Sequence, residues 1–477
     1  MKKEDLPTGP DNKKQIMDLL TQLMENANLN NENAKAIGFI MPATDNEPEK
    51  FVRLSDLERS LEDMALVHEI AINDKFQLKP THPEMASYAI QQTMKAAYWD
   101  LLREELSQNP PCYRMVIQLL LDIKEAFKSL LRDNNDRALN AILVVLDENA
   151  IRQLADEHGS AVLEHNAKFI LNIMGMACCP IRDAEIAALK RETEPITQLR
   201  GIMEVLDKMK LDMANFVLAT TRAQFVRYSV EYERKKFVEL QALCGNNFPH
   251  VVQWLKRHKP PGADNGEEVR TIRLNDVQMP EYYIDAYQEY VQPDTNYPLP
   301  ELLKLDQVRL EQLKGNALRM SACATVMQLT CAAVPSLANH PVRPDLARKL
   351  DILSTDYPGK ITLPDLLQNL WVQVLDSISN QTVQPKEGPV TDGTKLALKT
   401  QILSIDSSMS VYGVIWRKLM MYMKALVMAE KEESVPFPVS FRDYRAAIVD
   451  VAGQFKRIVS HNFEVYGNYY LKSMQEC

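Results

Sequence analysis

The sequence predicts an all-α protein, built as an irregular multi-helical array or bundle with no regular short repeat. Three observations carry this expectation. Glycine is sparse, 15 of 477 residues, too few for the turns that sandwiches and doubly wound sheets need. Methionine is plentiful at 22, and with leucine, alanine and glutamate it favours helix. Apolar residues recur at helical spacing in segment after segment, and no fixed period links one segment to the next.

Residues 1–50 read as a flexible tail, with one short helix available in DNKKQIMDLLTQLMENA. Order begins near Ser55. Ser55 and Glu58 match a capping box that opens LERSLEDMALVHEIAIN, where Leu57, Leu61, Met64, Ala65 and Ile70 keep helical spacing. The next helix, 84–107, places Ala89, Ile90, Met94, Ala97, Tyr98, Leu101 and Leu102 on one face. Asn109 then caps a helix that Pro110 and Pro111 open and that runs to Leu131, since proline is tolerated in a first turn. Further helices are expected over 136–155, 160–178, 183–192, 195–217, 220–243 and 248–257. Residues 259–275, with KPPGADNGEE, read as an exposed linker. In the tyrosine-rich stretch that follows, a helix would put Tyr283, Tyr287 and Tyr290 on one face as a docking stripe between layers. The remaining helices are expected over 301–334, 343–355, 363–380, 394–427 and 440–473. The domain organisation follows: a tail over 1–50, an N-terminal helical domain over 51–258, a linker and Tyr-rich docking segment over 259–300, and a C-terminal helical domain over 301–477 packed on the first.

The formal charge of −9 argues against a broad nucleic-acid surface. Seven cysteines without a CxxC pair read as free, mostly buried thiols of a reducing compartment. The polar start MKKEDLPTGPDNKKQ lacks a signal-peptide core, and no apolar run reaches the length of a membrane span, so no span and a cytoplasmic location are expected.

Motifs that carry chemistry are lacking. His68-Glu69 would open a zinc-protease HExxH, but position 72 is Ile72. The eight histidines are isolated in sequence, so no metal site is expected. Cys178-Cys179 precedes Pro180 and reads as core packing at a helix end. Arg182-Asp183 reads as a turn-fixing pair. No phosphate-cradling glycine loop, nucleophile elbow or kinase signature is present. No catalytic residue and no cofactor are assigned, and the protein is read as not an enzyme.

The most orderly segment is the helical stretch Gly201–Phe237. Met203, Leu206, Met209, Met213, Phe216 and Val217 form an apolar stripe. Charges pair along it at helical spacing: Glu204 with Lys208, Asp207 with Lys210, Lys208 with Asp212, and Glu231 with Arg227 and Lys235. Asn215 is placed to hold a neighbouring helix or loop. Arg234, Lys235 and Lys236 form a compact basic cluster. Asp207, Asp212, Asn215, Glu231, Arg234, Lys235 and Lys236 are therefore the candidate interaction surface, suited to an acidic partner.

Five segments together resemble the T-complex protein 11 family, in particular its T-complex 11-like members: MALVHEIAINDKFQLKP (64–80), AAYWDLLREELSQNPPCY (96–113), IMGMACCPIRDAEI (173–186), LDKMKLDMANF (206–216) and SVEYERKKF (229–237). The resemblance implies an all-helical cytoplasmic protein of signal transduction, linked in some members to the cyclic-AMP pathway or the cytoskeleton. It transfers no catalytic residue. The leading expectation is a non-enzymatic signalling scaffold or adaptor with protein partners. The alternatives are an all-helical enzyme or small-ligand receptor with a site near 207–236, and a microtubule- or actin-associated structural protein.

Overall fold

The computed structural model describes residues 38–41, 50–80, 86–131, 136–159, 161–244, 248–260, 270–274, 277–293, 295–379, 390–406 and 410–475. The architecture is an irregular multi-helical bundle with two small antiparallel ribbons. The expected short helix in 11–27 and the Ser55–Glu58 cap concern residues or side chains outside this set.

The described residues fall into two units. One spans 75–225; the other takes those up to Asp74 and those from Val226 onward. In the core of the second unit, Leu61, Met64 and Ala65 from the N-terminal side share one apolar cluster with residues as late as Met474.

In the first unit, α2 (Ala86–Ser107) precedes α3 (Arg114–Leu131), α4 (Asp136–Val145), α5 (Glu148–His158), α6 (Ala161–Ala177), α7 (Asp183–Leu189) and the first part of α8 (Pro195–Cys244). Its core gathers Trp99, Leu102, Leu120, Ile123, Phe127, Leu163, Ile170, Leu199 and Leu206. Helix α3 starts later than Pro110 would place it. The Glu105 carboxylate, and not Asn109, accepts the Met115 N–H at 3.0 Å and so satisfies a free donor of the first turn. Helix α5 is capped by Asp147, whose side chain accepts from Asn149 and Ala150, and it ends at Gly159 with φ of 57°. Of the face expected to bury α2, Leu102 is in the core, whereas Ile90, Met94 and Leu101 are exposed; Trp99, outside that face, is buried instead.

Helix α8 is one element of 50 residues and not the two expected over 195–217 and 220–243. Nothing in the sequence breaks it, because no glycine or proline follows Gly201 before Cys244. At the expected break, the Thr220 and Thr221 hydroxyls donate back to the Phe216 and Val217 carbonyls, a pattern compatible with continuous helix. Its buried stripe also differs from the expected one. Leu199, Ile202, Val205, Leu206 and Met209 are buried, Met203 and Met213 lie half-buried at the edge, and Phe216 and Val217 are exposed.

In the second unit, β1 (Gly38–Met41) pairs with β2 (Lys50–Arg53), so part of the expected tail is ordered, and α1 (Leu54–Ile72) follows directly. After α8 come α9 (Pro249–His258) and a ribbon of β3 (Thr271–Leu274) and β4 (Val277–Pro280), so the end of the expected linker is strand. Four-residue strands are too short to leave a periodic signal. Then follow α10 (Tyr282–Glu289), α11 (Gln307–Ala333), α12 (Val342–Leu353), α13 (Leu363–Ser379), α14 (Asp392–Leu403), α15 (Ser410–Met428) and α16 (Arg445–Gln475). Helix α11 is buried nearly all round between Ala317 and Thr330, which explains its small residues and its apolar run ATVMQLTC. The tyrosine face of α10 is buried: Tyr283 and Tyr287 are inaccessible, and the Tyr287 hydroxyl donates to Asn462 Oδ1 on α16 at 2.6 Å. No helix among the described residues is long and apolar enough to cross a membrane.

Candidate functional site

The second unit contains a cluster of ionisable groups that helical periodicity places inside. On α1, Leu61, Met64, Ala65 and Ile72 are core residues, and His68 occupies the same stripe. On α8, Val230, Phe237 and Leu240 point inward, and Glu233 lies on their face. His461 comes from α16, and Asp306 ends the short 3₁₀ turn Glu301–Asp306. His68, Glu233, Asp306 and His461 are 2%, 0%, 1% and 6% exposed, so water does not solvate them.

Each charge is met by another. His68 Nδ1 is 3.0 Å from Glu233 Oε2, and His68 Nε2 is 3.0 Å from Asp306 Oδ1. With both carboxylates ionised, both ring nitrogens donate, and the ring is an imidazolium. Burial by itself would lower the His68 pKa, but the charges of Asp306 and Glu233 outweigh it and raise the value from 6.5 to about 10. Burial would raise Glu233 and Asp306; His68 with His461, and His68 with Arg309, bring each carboxyl down to about 2. His461 Nε2 donates to the other oxygen of Glu233 at 2.8 Å, and its ring meets that of His68 edge-on, with centroids 5.2 Å apart. Arg309, one turn after Asp306, donates to Asp306 Oδ1 at 2.8 Å and bonds Glu69, the neighbour of His68. Asp306 Oδ2 has no hydrogen-bond partner. One ligand atom from each of His68, Glu233 and His461 lies within 4.8 Å of the others, a set able to hold a metal ion.

The sequence-selected residues have separate places. Asp207 pairs with Lys210 at 3.5 Å and sits 4.0 Å from Lys95. Asp212 receives Arg182 through two hydrogen bonds, Nε at 2.8 Å and Nη2 at 2.9 Å, while Arg182 Nη1 reaches Glu185. The Arg182 pKa is raised, first by the hydrogen bonds to Asp212 and then by those to Glu185. Asn215 does hold a loop: it accepts the Leu78 N–H at 2.7 Å and donates to the Leu78 carbonyl at 3.1 Å. Arg234 donates twice to the Glu464 carbonyl, at 2.9 and 2.6 Å. Lys236 pairs with Glu239 at 2.9 Å. Lys235 and Glu231 are exposed. The basic triplet is thus three side chains with different tasks.

Sequence reasoning weighed His68-Glu69 only as the start of an HExxH motif and passed over Glu233, Asp306, Arg309 and His461. The available signal was an imidazole or carboxylate standing on an otherwise apolar helical stripe, as His68 and Glu233 do. Of the double cysteine, Cys178 packs against the core of the first unit and donates to Asp183 at 3.3 Å, whereas Cys179 is exposed.

A crevice of about 330 Å³ is lined by Gln292, Tyr297, Tyr412, Trp416 and three small or polar neighbours. It presents no carboxylate, imidazole, ammonium or thiol.

Several of the quoted sequence segments meet each other in these contacts. Segment 64–80 supplies His68 to Glu233 of segment 229–237 and Leu78 to Asn215 of segment 206–216. Segment 173–186 supplies Arg182 to Asp212. A family model described as T-complex protein 11 matches residues 66–475. The chain belongs to the T-complex protein 11 family. Among its relatives, the human T-complex protein 11 homolog is 25% identical over 453 residues, covering 90% of each chain. Human T-complex protein 11-like X-linked protein 2 is 25% identical over 448 residues, covering 86% of each, and mouse T-complex protein 11 is 25% identical over 406 residues, covering 81% of this chain and 71% of its own. No solved structure matches. All six side chains of the buried cluster fall inside the span matched by the T-complex protein 11 model.

Proposed function

We propose that the protein is a non-enzymatic signalling adaptor that binds protein partners through the outer face of the Val226–Cys244 part of α8. The observation that carries this reading is the division of labour within SVEYERKKF. Ser229, Val230, Glu233 and Phe237 are buried, and Arg234 is tied to Glu464. Glu231 and Lys235 stay exposed, between Tyr228 at 60% and Val238 at 62% exposure. At 100° per residue, Tyr228, Glu231, Lys235 and Val238 share one face. An aromatic ring and an aliphatic side chain flanking charges have the composition of a protein contact, with the apolar groups supplying burial and Lys235 selecting an acidic partner segment.

The burial of the acid–base cluster supports the non-enzymatic part of the reading, since general acid–base catalysis needs groups within reach of a substrate. Asp212, Asn215 and Arg234 each serve a different intramolecular partner, which weighs against a receptor site built from them. The finer assignments, to cytoskeleton or to cyclic-AMP signalling, rest on family resemblance, and the exposed Lys235 is the feature that favours an acidic filament surface.

Capture of partners from native cytosol by the full chain tests the reading. A reproducible partner set should appear with wild type and be lost with Lys235→Glu combined with Val238→Asp, a pair at exposed positions that leaves the circular dichroism unchanged. An unchanged set, or none, contradicts it. Sedimentation with microtubules or actin at low and high salt, and dialysis against cyclic AMP, separate the finer assignments.

A further inference from the structure

Three features of the molecule lie outside the adaptor reading: the aromatic crevice beside Trp416, the exposed apolar stripe of α2, and the buried His68–Glu233–His461 cluster. The last is a set of ligand-type atoms converging from three distant parts of the chain. We propose that it is a divalent-metal site of the zinc class, with His68 Nδ1, His461 Nε2 and the two carboxylate oxygens of Glu233 as donors.

Four observations carry the assignment. The two rings approach the same carboxylate, one at each oxygen, at 3.0 and 2.8 Å, and one ligand atom from each of the three residues lies within 4.8 Å of the others. Ligands bound at about 2.0–2.2 Å around one tetrahedral ion lie roughly 3.3 Å apart, so small shifts admit an ion. Two imidazoles and a carboxylate are donors that a borderline ion of this class accepts.

The second observation is the position of Asp306. It accepts from His68 Nε2 at 3.0 Å, on the side of the ring away from Glu233. A metal-bound imidazole usually donates its other N–H to a carboxylate, which fixes the tautomer and orients the ring. Arg309 in turn holds Asp306 at 2.8 Å. The support around the ligand is therefore in place.

The third is charge. Two carboxylates, Glu233 and Asp306, are buried beside the rings, and Arg309 is the guanidinium next to them. A divalent cation is favoured beside buried carboxylates, because an uncompensated negative charge in a low-dielectric interior is costly.

The fourth is topology. The ligands come from α1, α8 and α16, at positions 68, 233 and 461, with no open face between them and solvent. An ion so placed ties three segments of one core together, and its binding energy becomes folding energy. The site is structural, and it is filled as the chain folds.

The experiment uses the full chain, expressed with zinc and, separately, refolded with cobalt(II) and dialysed against a weak chelator. The expected result is about one metal ion per folded chain, as for a single closed site. The cobalt form should show the intense visible bands of low-coordinate nitrogen and oxygen ligation, and X-ray absorption of the zinc form should show scattering from two imidazoles. His461→Asn should lose the ion and its bands while the helical circular dichroism remains. The proposal is overturned if natively folded wild type holds well under one ion after dialysis. It is equally overturned if absorption shows sulfur or fewer than two imidazoles, or if folded His461→Asn keeps full occupancy. Should His461→Asn fail to fold, the wild-type absorption result alone decides.

Discussion

His68 and Glu233 are 165 positions apart in the chain and 3.0 Å apart in the core, joined ring nitrogen to carboxylate. The contact brings together two of the segments by which the family is recognised. It also explains why each tolerates a polar residue on an apolar face: each is the other's counter-ion.

Removing one member of this pair should be expensive. Glu233→Gln leaves the imidazolium of His68 without one of its two counter-charges in a site closed to water. A loss of about 3–5 kcal/mol is expected in urea unfolding of the metal-free protein. Glu231→Gln, two residues earlier and exposed, should stay within about 0.5 kcal/mol. Equal effects at the two positions would mean that Glu233 is not buried as described.

Stability of the metal-free protein should depend on pH at both ends. The His68 pKa is raised in the fold, so its contribution is complete below 6.5 and is lost as pH climbs through about 10. Glu233 and Asp306 are depressed, so their contribution is complete above about 4.5 and is lost as pH falls through about 2. The groups facing His68 are Glu233, Asp306 and His461, with Arg309 and Glu69 behind Asp306. Urea midpoints should therefore be highest between about pH 4.5 and 6.5 and decline on both sides. His68→Asn should flatten the alkaline decline; an undiminished alkaline decline in that variant would assign it to other groups.

Asn215→Ala removes two hydrogen bonds to the Leu78 backbone. A loss of about 1–2 kcal/mol is expected, with faster hydrogen exchange at the Leu78 amide. Unchanged exchange at Leu78 would contradict the clip.

Gly467→Ala should destabilise although alanine is the better helix former. A Cβ there would stand 2.7 Å from Phe463 Cε1 and 3.1 Å from Val277. Phe463 is fully buried beside Tyr283 and cannot swing away. Overpacking of about 1–3 kcal/mol outweighs the roughly 1 kcal/mol of helix propensity, so thermal unfolding should fall.

Thiol labelling should separate the cysteines. Cys179 is the exposed one among the described cysteines and should react before the others of that set with a maleimide in the native state. Cys323 is inaccessible, and burial raises its thiol to about 12, so it should react only on unfolding. Rapid native labelling of Cys323 would show the core of the second unit to be open.

Much of the helical layout was legible because apolar stripes are local. The tyrosine face of α10 and the role of Asn215 could be read in the same way, from spacing within one helix. The continuity of α8 was legible too, in its lack of glycine and proline after Gly201, although two helices were expected over 195–217 and 220–243. The buried cluster was less accessible. Glu231 and Glu233 differ by two positions, which on a helix is about 200°, and only packing decides which one faces inward. His68 stood on an apolar stripe in plain view. Its partners come from 165 and 238 positions away, and nothing in a single sequence states such a pairing.

The central claim is that His68 bridges Glu233 and Asp306 through both ring nitrogens in the metal-free fold. Nitrogen-15 NMR of histidine-labelled, metal-stripped protein at pH about 8 tests it directly, because an unperturbed imidazole is neutral there. The account predicts two protonated nitrogens on His68, with shifts that do not move between mildly acidic and mildly alkaline pH. A His68 signal of a single neutral tautomer, titrating near the usual 6.5, would contradict it.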